Sequence, residues 1–175
     1  MLPEAGHGRW HIVATTLTFW QQRDNPVSEL GPALSDGRWR NRLYWTEGGK
    51  PKALEGADTE LPQVAGEPYP RFRWRGAGLL WLFASDWRFV ELNDTFAVTW
   101  FARATFGVTP EGMDVYARDA AFDPAPVIAR LTADPAFAHL GGWYRPYNSA
   151  RTALGTSAIP IASTPAATGQ PPIPG

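Results

Sequence analysis

The sequence predicts an all-β chain, and two observations carry that expectation. From Gly8 to Arg103 it offers about eight short β-branched and aromatic runs, separated by turn signals roughly every 8 to 12 residues, as in an antiparallel barrel or sandwich. The central stretch Leu79 to Arg103 (LLWLFASDWRFVELNDTFAVTWFAR) is apolar, aromatic or β-branched at nearly every other position. It breaks at Ser85-Asp86 and again at Asn93-Asp94-Thr95, so it reads as an antiparallel meander. Both faces of these strands are largely apolar, and such strands must be covered on both sides or wrapped around an interior.

Each element follows in order. Gly8 to Thr18 (GRWHIVATTLT) is a strand by its β-branched content, with Trp10, Ile12 and Ala14 on one face. Trp20 to Pro32 is polar and turn-rich and reads mostly as a loop, with Val27 to Leu34 holding at best a short strand. Ser35-Asp36-Gly37 is a hairpin signal leading into Arg38 to Trp45, where Arg38, Arg40, Arg42 and Tyr44 alternate with Trp39, Asn41, Leu43 and Trp45. After the turn at Glu47-Gly48-Gly49, Lys52 to Leu61 is a weaker strand in which Gly56 suggests a bulge or bend. A Pro/Gly-broken connection leads to Arg71 to Arg75, with Phe72 and Trp74 inward and three arginines outward, and then to the meander.

Beyond the strands, Thr109-Pro110-Glu111 carries the marks of a helix start, and Met113, Tyr116 and Ala120 supply an apolar stripe to about Phe122. Asp123-Pro124 ends it. Val127 to Leu131 is a returning strand or a second helix, and Pro124 and Pro126 favour the strand. The aromatics between Ala136 and Tyr147 are expected to pack outside. Residues 1–148 form one domain on this reading. Ser149 to Gly175, rich in Ala, Thr and Pro with Arg151 as its single charge, lacks the apolar surface to offset its ordering entropy and is expected to be disordered.

Composition removes several function classes. The chain has 175 residues, with 16 basic and 17 acidic side chains and a formal charge of −1, which gives no global pull toward nucleic acid or an anionic membrane. It has no cysteine, and therefore no disulfide, thiolate metal site or cysteine nucleophile. No apolar run approaches the ~20 residues of a membrane span. Met1 to Gly8 has no signal-peptide pattern, so the expectation is a soluble protein, cytoplasmic or exported with its leader removed. His7, His11 and His139 lack ligand spacing, and no metal or other cofactor is expected. Gly76-Ala77-Gly78 reads as a turn, and Ser35, Ser85 and Ser149 have no nucleophile context. The arginines alternate out of phase with the tryptophans, so base stacking and phosphate contact cannot share a face, and a solvated outer ladder is expected rather than a nucleic-acid site.

Three short signatures give the chain a resemblance to the lipocalins, in particular the short bacterial and plant-type members of that calycin family. They are Gly8-Arg9-Trp10 at the first strand, Ser85-Asp86-Trp87 as a turn between two late strands, and Arg103 late in the last strand of the meander. The resemblance covers roughly Gly8 to Leu131. It implies an eight-stranded antiparallel up-and-down barrel with one external α-helix near 109–122. It also implies a closure device in which Arg103 covers the Trp10 ring at the narrow end while Asp86 fixes a turn, these residues being structural rather than catalytic.

Function is then expected in the lumen. The inward set is Trp39, Leu43, Trp45, Phe72, Trp74, Leu80, Leu82, Phe89, Val98 and Trp100, with Trp81 and Phe83 behind them. If these walls enclose space, they suit a small apolar ligand, and the resemblance implies a fatty acid, lipid or isoprenoid-like molecule. Two other readings stay open: a barrel enzyme, an isomerase or hydrolase using a lumenal acid such as Glu91, and a ligandless module whose indoles fill the core.

Overall fold

The computed structural model describes residues 1–105 and 109–149. Eight strands close into an antiparallel up-and-down barrel in the order β1-β2-β3-β4-β5-β6-β7-β8. They are β1 Gly8–Thr15, β2 Asp24–Ala33, β3 Trp39–Glu47, β4 Lys50–Glu60, β5 Arg71–Gly76, β6 Ala84–Leu92, β7 Phe96–Phe101 and β8 Gly112–Ala117. Among the described residues one α-helix, α1 Ala125–Ala133, packs on the outside. The expected fold class is therefore the observed one. The alternation of β3 and β5 sets their faces as expected: Trp39, Leu43, Trp45, Phe72 and Trp74 join the interior cluster, while the arginines between them face out.

The second strand is longer than its sequence suggests. β2 spans ten residues although it contains Asn25, Pro26, Gly31 and Pro32. Its pairing with β3 shifts register between Asp24 and Val27 and again between Leu30 and Ala33, and these irregularities absorb the residues that read as loop. Gly56, by contrast, sits in unbroken pairing with both Asn41 and Gly76, so no bulge occurs there. Its missing side chain has another cause. A Cβ at Gly56 would lie 2.3 Å from the Trp74 indole nitrogen, so the glycine makes room for that ring.

Two elements are exchanged relative to expectation. Leu79 to Phe83 is not a strand, because Gly78–Leu82 forms a 3-10 turn with Leu79, Trp81 and Leu82 exposed. The eighth strand is instead β8, within the segment expected as a helix near 109–122. Met113, Val115 and Ala117 join the outer apolar layer under α1, while Asp114 and Tyr116 alternate to the inside. A strand buried on both faces can show helix-like apolar spacing by accident, and hydrogen bonding decides the matter: β8 pairs β7 on one side and β1 on the other, closing the barrel. The helix falls one segment later, where Val127, Ile128 and Leu131 bury one face. Pro126 is tolerated in its first turn, where an N–H would have no partner in the helix.

The arginine ladders are separated rather than pooled. β4 lies between β3 and β5. Acids sit beside most of these guanidiniums: Arg42 lies 3.0 Å from Glu55, Arg73 2.7 Å from Asp86, and Arg71 and Arg88 both meet Glu67. The segment expected to be disordered, from Ser149 on, lies outside the described residues from 150 onward. No helix among the described residues is long and apolar enough to cross a membrane.

Candidate functional site

One end of the barrel is shut by a single construction. Trp10 is fully buried and donates its indole N–H to the Gly6 carbonyl at 2.8 Å. The Arg118 guanidinium lies 3.4 Å from the centre of its ring. The same guanidinium donates to the carbonyls of Arg9, Ala5 and His7 at 2.9, 2.7 and 2.7 Å, tying the N-terminal segment across the barrel's foot. Above this plug, Phe72 and Phe89 fill the lumen, with Trp39 edge-on to His7.

The expected partner of Trp10 was Arg103, and that assignment is corrected. Because the last barrel strand is β8, the basic residue that follows it is Arg118; Arg103 follows β7 and borders a surface depression with Arg73, Arg75 and Asp86. Asp86 itself is no turn residue. It lies within β6 and accepts both hydrogen bonds of the Arg73 fork. The turn joining β6 to β7 is Asn93-Asp94-Thr95, where the Asn93 side-chain oxygen Oδ1 accepts from Thr95 and Phe96.

The opposite half of the barrel encloses a cavity of about 340 Å³. Its walls come from the strands through Leu30, Leu43, Trp45, Leu54, Trp74, Trp87 and Phe101, and its mouth from Leu17, Phe19, Trp20, Leu80 and Phe83. Of the sequence-expected set, Leu43, Trp45, Trp74 and Leu80 border this space. Trp39, Phe72 and Phe89 point inward but fill the closed half. Leu82 is half exposed on the 3-10 turn. Val98 and Trp100 stand on the outer face, where Val98 packs in the layer under α1 and Trp100 donates to Glu111 at 2.7 Å. The phase of β7 is the reverse of the expected one, because α1 covers its bulkier face and leaves Ala97, Thr99 and Phe101 for the lumen.

The acids inside the barrel are Asp58 and Asp114 rather than Glu91. Asp58 is buried and accepts from the Asn41 side-chain amide and the Trp87 indole, each at 2.8 Å. Burial pushes its carboxyl up to about 7, with those two donors pulling the other way. Asp114 is 1 % exposed and borders the cavity. Burial pushes it, too, up to about 7, opposed by the Thr15 hydroxyl and the Trp20 indole. Tyr116, beside it on β8, is raised by burial. The sequence signal was faint but present: Asn41 interrupts the apolar face of Trp39, Leu43 and Trp45, and Asp114 alternates with Met113 and Val115.

Arg23, at the mouth, stacks on Phe19 and Trp45, donates to the Phe19 carbonyl and lies near Glu47. Glu91, the acid named for an enzymatic reading, faces outward and binds Arg130 of α1 at 2.7 Å. Among the described residues no group of three or more His, Cys, Asp or Glu is placed to hold a metal ion.

A closed eight-stranded up-and-down barrel, plugged at one end, hollow at the other and braced by one helix, is the lipocalin fold of the calycin type, and this chain has it. Similar solved structures include the siderocalin Ex-FABP, 12 % identical with a TM-score of 0.54 over 77 % of this chain and 89 % of the other. They also include insecticyanin from the tobacco hornworm Manduca sexta, 12 % identical with a TM-score of 0.58 over 84 % and 81 %. No family model matches the sequence, and no curated protein matches it.

Proposed function

We propose that this protein binds or carries a small, largely apolar ligand, non-covalently, in the open half of its barrel. The observation that carries this reading is the cavity of about 340 Å³. That volume falls within the ~300–1,000 Å³ of small-molecule sites. Its walls are mostly aliphatic and aromatic, so transfer of each methylene from water is worth ~0.8 kcal/mol. The ligand is of the fatty acid, lipid or isoprenoid-like kind. The fold shared with a siderocalin described by its dual ligand specificities supports small-molecule binding as the class. The space also weighs against a ligandless module with a filled core, since only the Trp10 half is packed solid.

Titration with 1-decanol while following tryptophan emission tests the reading, because Trp20, Trp45, Trp74 and Trp87 all border the cavity. The expected result is saturable quenching at one ligand per chain. Emission that drifts linearly without saturating would overturn it.

A further inference from the structure

The open end of the barrel carries an apolar exposure beyond that of its cavity. Of the large apolar side chains exposed among the described residues, Leu79, Leu80, Trp81 and Leu82 form the one consecutive run, while Met1, Val64 and Tyr147 stand singly. Leu79 is 94 % exposed and Trp81 59 %. The run lies on the 3-10 turn between β5 and β6, and no charged residue interrupts the chain from Gly76 to Ser85. The turn is held in place. Arg75 donates to the Trp81 carbonyl at 3.0 Å, the Phe83 N–H to the Leu80 carbonyl at 2.9 Å, and the Ala77 N–H to the Glu55 carbonyl of β4 at 2.8 Å. Leu80 and Phe83 border the cavity mouth, whereas Leu79, Trp81 and Leu82 stand outside it. Single exposed apolar residues are ordinary, but a contiguous set at the rim of a binding cavity marks a contact surface.

The cations at this end differ from those elsewhere on the barrel. Arg75 precedes the turn and borders one surface depression with Arg103. Lys50 and Lys52 stand on the β3–β4 hairpin, which lies at the same end because β4 runs past Gly56, the partner of Gly76. All four are exposed, and none lies within ion-pair distance of an acid among the described residues, whereas Arg42, Arg71, Arg73 and Arg88 each meet one. The acids of this end are mostly engaged: Glu47 by Arg23, Asp86 by Arg73 and Glu111 by the Trp100 indole, which leaves Asp24. The formal charge of the chain is −1, yet its open end presents a local excess of free positive charge.

A partner for this surface must cover the apolar side chains of an exposed turn and supply negative charge around it. A bilayer with anionic headgroups does both and needs no socket matched to the turn. Leucine gains from entering the acyl boundary, an indole sits well at headgroup level, and lysine and arginine are drawn by the negative surface potential. We propose that the open end docks on an anionic lipid surface, with Leu79, Trp81 and Leu82 in the interface and Arg75, Arg103, Lys50 and Lys52 against lipid phosphates. The cavity mouth then faces the bilayer, and an apolar ligand passes between lipid and lumen without crossing open water. The docking stands on the turn and its cations, and the ligand exchange rests on the binding function proposed above.

The experiment follows co-sedimentation of the full chain with vesicles of phosphatidylcholine alone and of phosphatidylcholine with about a third phosphatidylglycerol, at low and high salt. The expected result is partition at least ten-fold tighter onto the anionic vesicles, weakened by salt. Each cation near such a surface is worth about five-fold in affinity, so Lys50→Glu with Lys52→Glu should weaken docking at least ten-fold. Leu79→Glu should also weaken it at least ten-fold, while its far-UV circular dichroism and its affinity for 1-decanol without vesicles match the parent. Equal partition onto both vesicles, no partition onto either, or docking unchanged in Leu79→Glu would overturn the proposal. So would a dimer that Leu79→Glu dissolves in a chain that ignores vesicles, which would assign the turn to a second copy. Docking without 1-decanol binding would uphold the lipid surface and overturn the carrier reading alone; 1-decanol binding without docking would do the reverse.

Discussion

Replacing Arg118 with methionine keeps an apolar stem over Trp10 but removes everything its guanidinium does at the foot of the barrel. Three hydrogen bonds to main-chain carbonyls are lost, each worth about 0.5–1.5 kcal/mol net. The contact over the indole face, 3.4 Å from the ring centre, adds about 0.5–2 kcal/mol. The carbonyls of Ala5, Arg9 and His7 lie near the surface and regain water, so the sum belongs at the lower end, about 3 kcal/mol. For a chain of this length that corresponds to a fall in Tm of about 6–12 °C. The matched control is Arg103→Met, which removes a guanidinium outside the barrel and should cost about 0.5 kcal/mol or less. Urea denaturation followed by tryptophan emission measures both. Equal losses for the two variants, or no loss for Arg118→Met, would refute the assignment of Arg118 as the closing residue.

Two further perturbations probe the interior. Asp58 has a folded pKa of about 7 against about 3.9 unfolded, so its stabilising effect is complete below pH 4 and is lost as pH rises through 7. Asp58→Asn should therefore leave stability below pH 4 almost unchanged and raise it progressively to pH 8, by at most about 4 kcal/mol; a variant less stable at pH 8 than the parent would contradict this. Gly56→Ala places a methyl 2.3 Å from the Trp74 indole and 2.5 Å from the Arg75 carbonyl. It should cost about 1–3 kcal/mol and alter the near-UV circular dichroism of the tryptophans, and an unchanged spectrum with unchanged stability would count against the close packing described.

Much of the barrel was legible because period-two alternation is a direct imprint of a sheet with an inside and an outside. In Arg71 to Arg75 and in Arg38 to Trp45, arginines alternate with residues that are mostly aromatic or aliphatic, and the structure keeps that division. Where both faces are buried the imprint fades. β7 and β8 each separate the lumen from the layer under α1, so their apolar residues carry no label saying which side they serve. That ambiguity reversed Val98 and Trp100 and made Gly112 to Ala117 resemble a helix, and the missed strand then displaced the closing arginine from 118 to 103. The polar lining was illegible for another reason. Asp58, Asp114 and Asn41 are brought into one lumen from three strands, and only closure of the sheet makes them neighbours of the same space.

The central claim is that the open half of this barrel is a ligand site. A paired substitution that fills it, Leu43→Trp with Ser85→Phe, tests the claim most directly, because both residues line the cavity, one from β3 and one from β6. Binding of 1-decanol is followed by calorimetry, with far-UV circular dichroism confirming the fold. Affinity at least ten-fold weaker than that of the parent, with the β spectrum retained, is the expected outcome. Undiminished binding by a folded variant would place the ligand elsewhere and contradict the account.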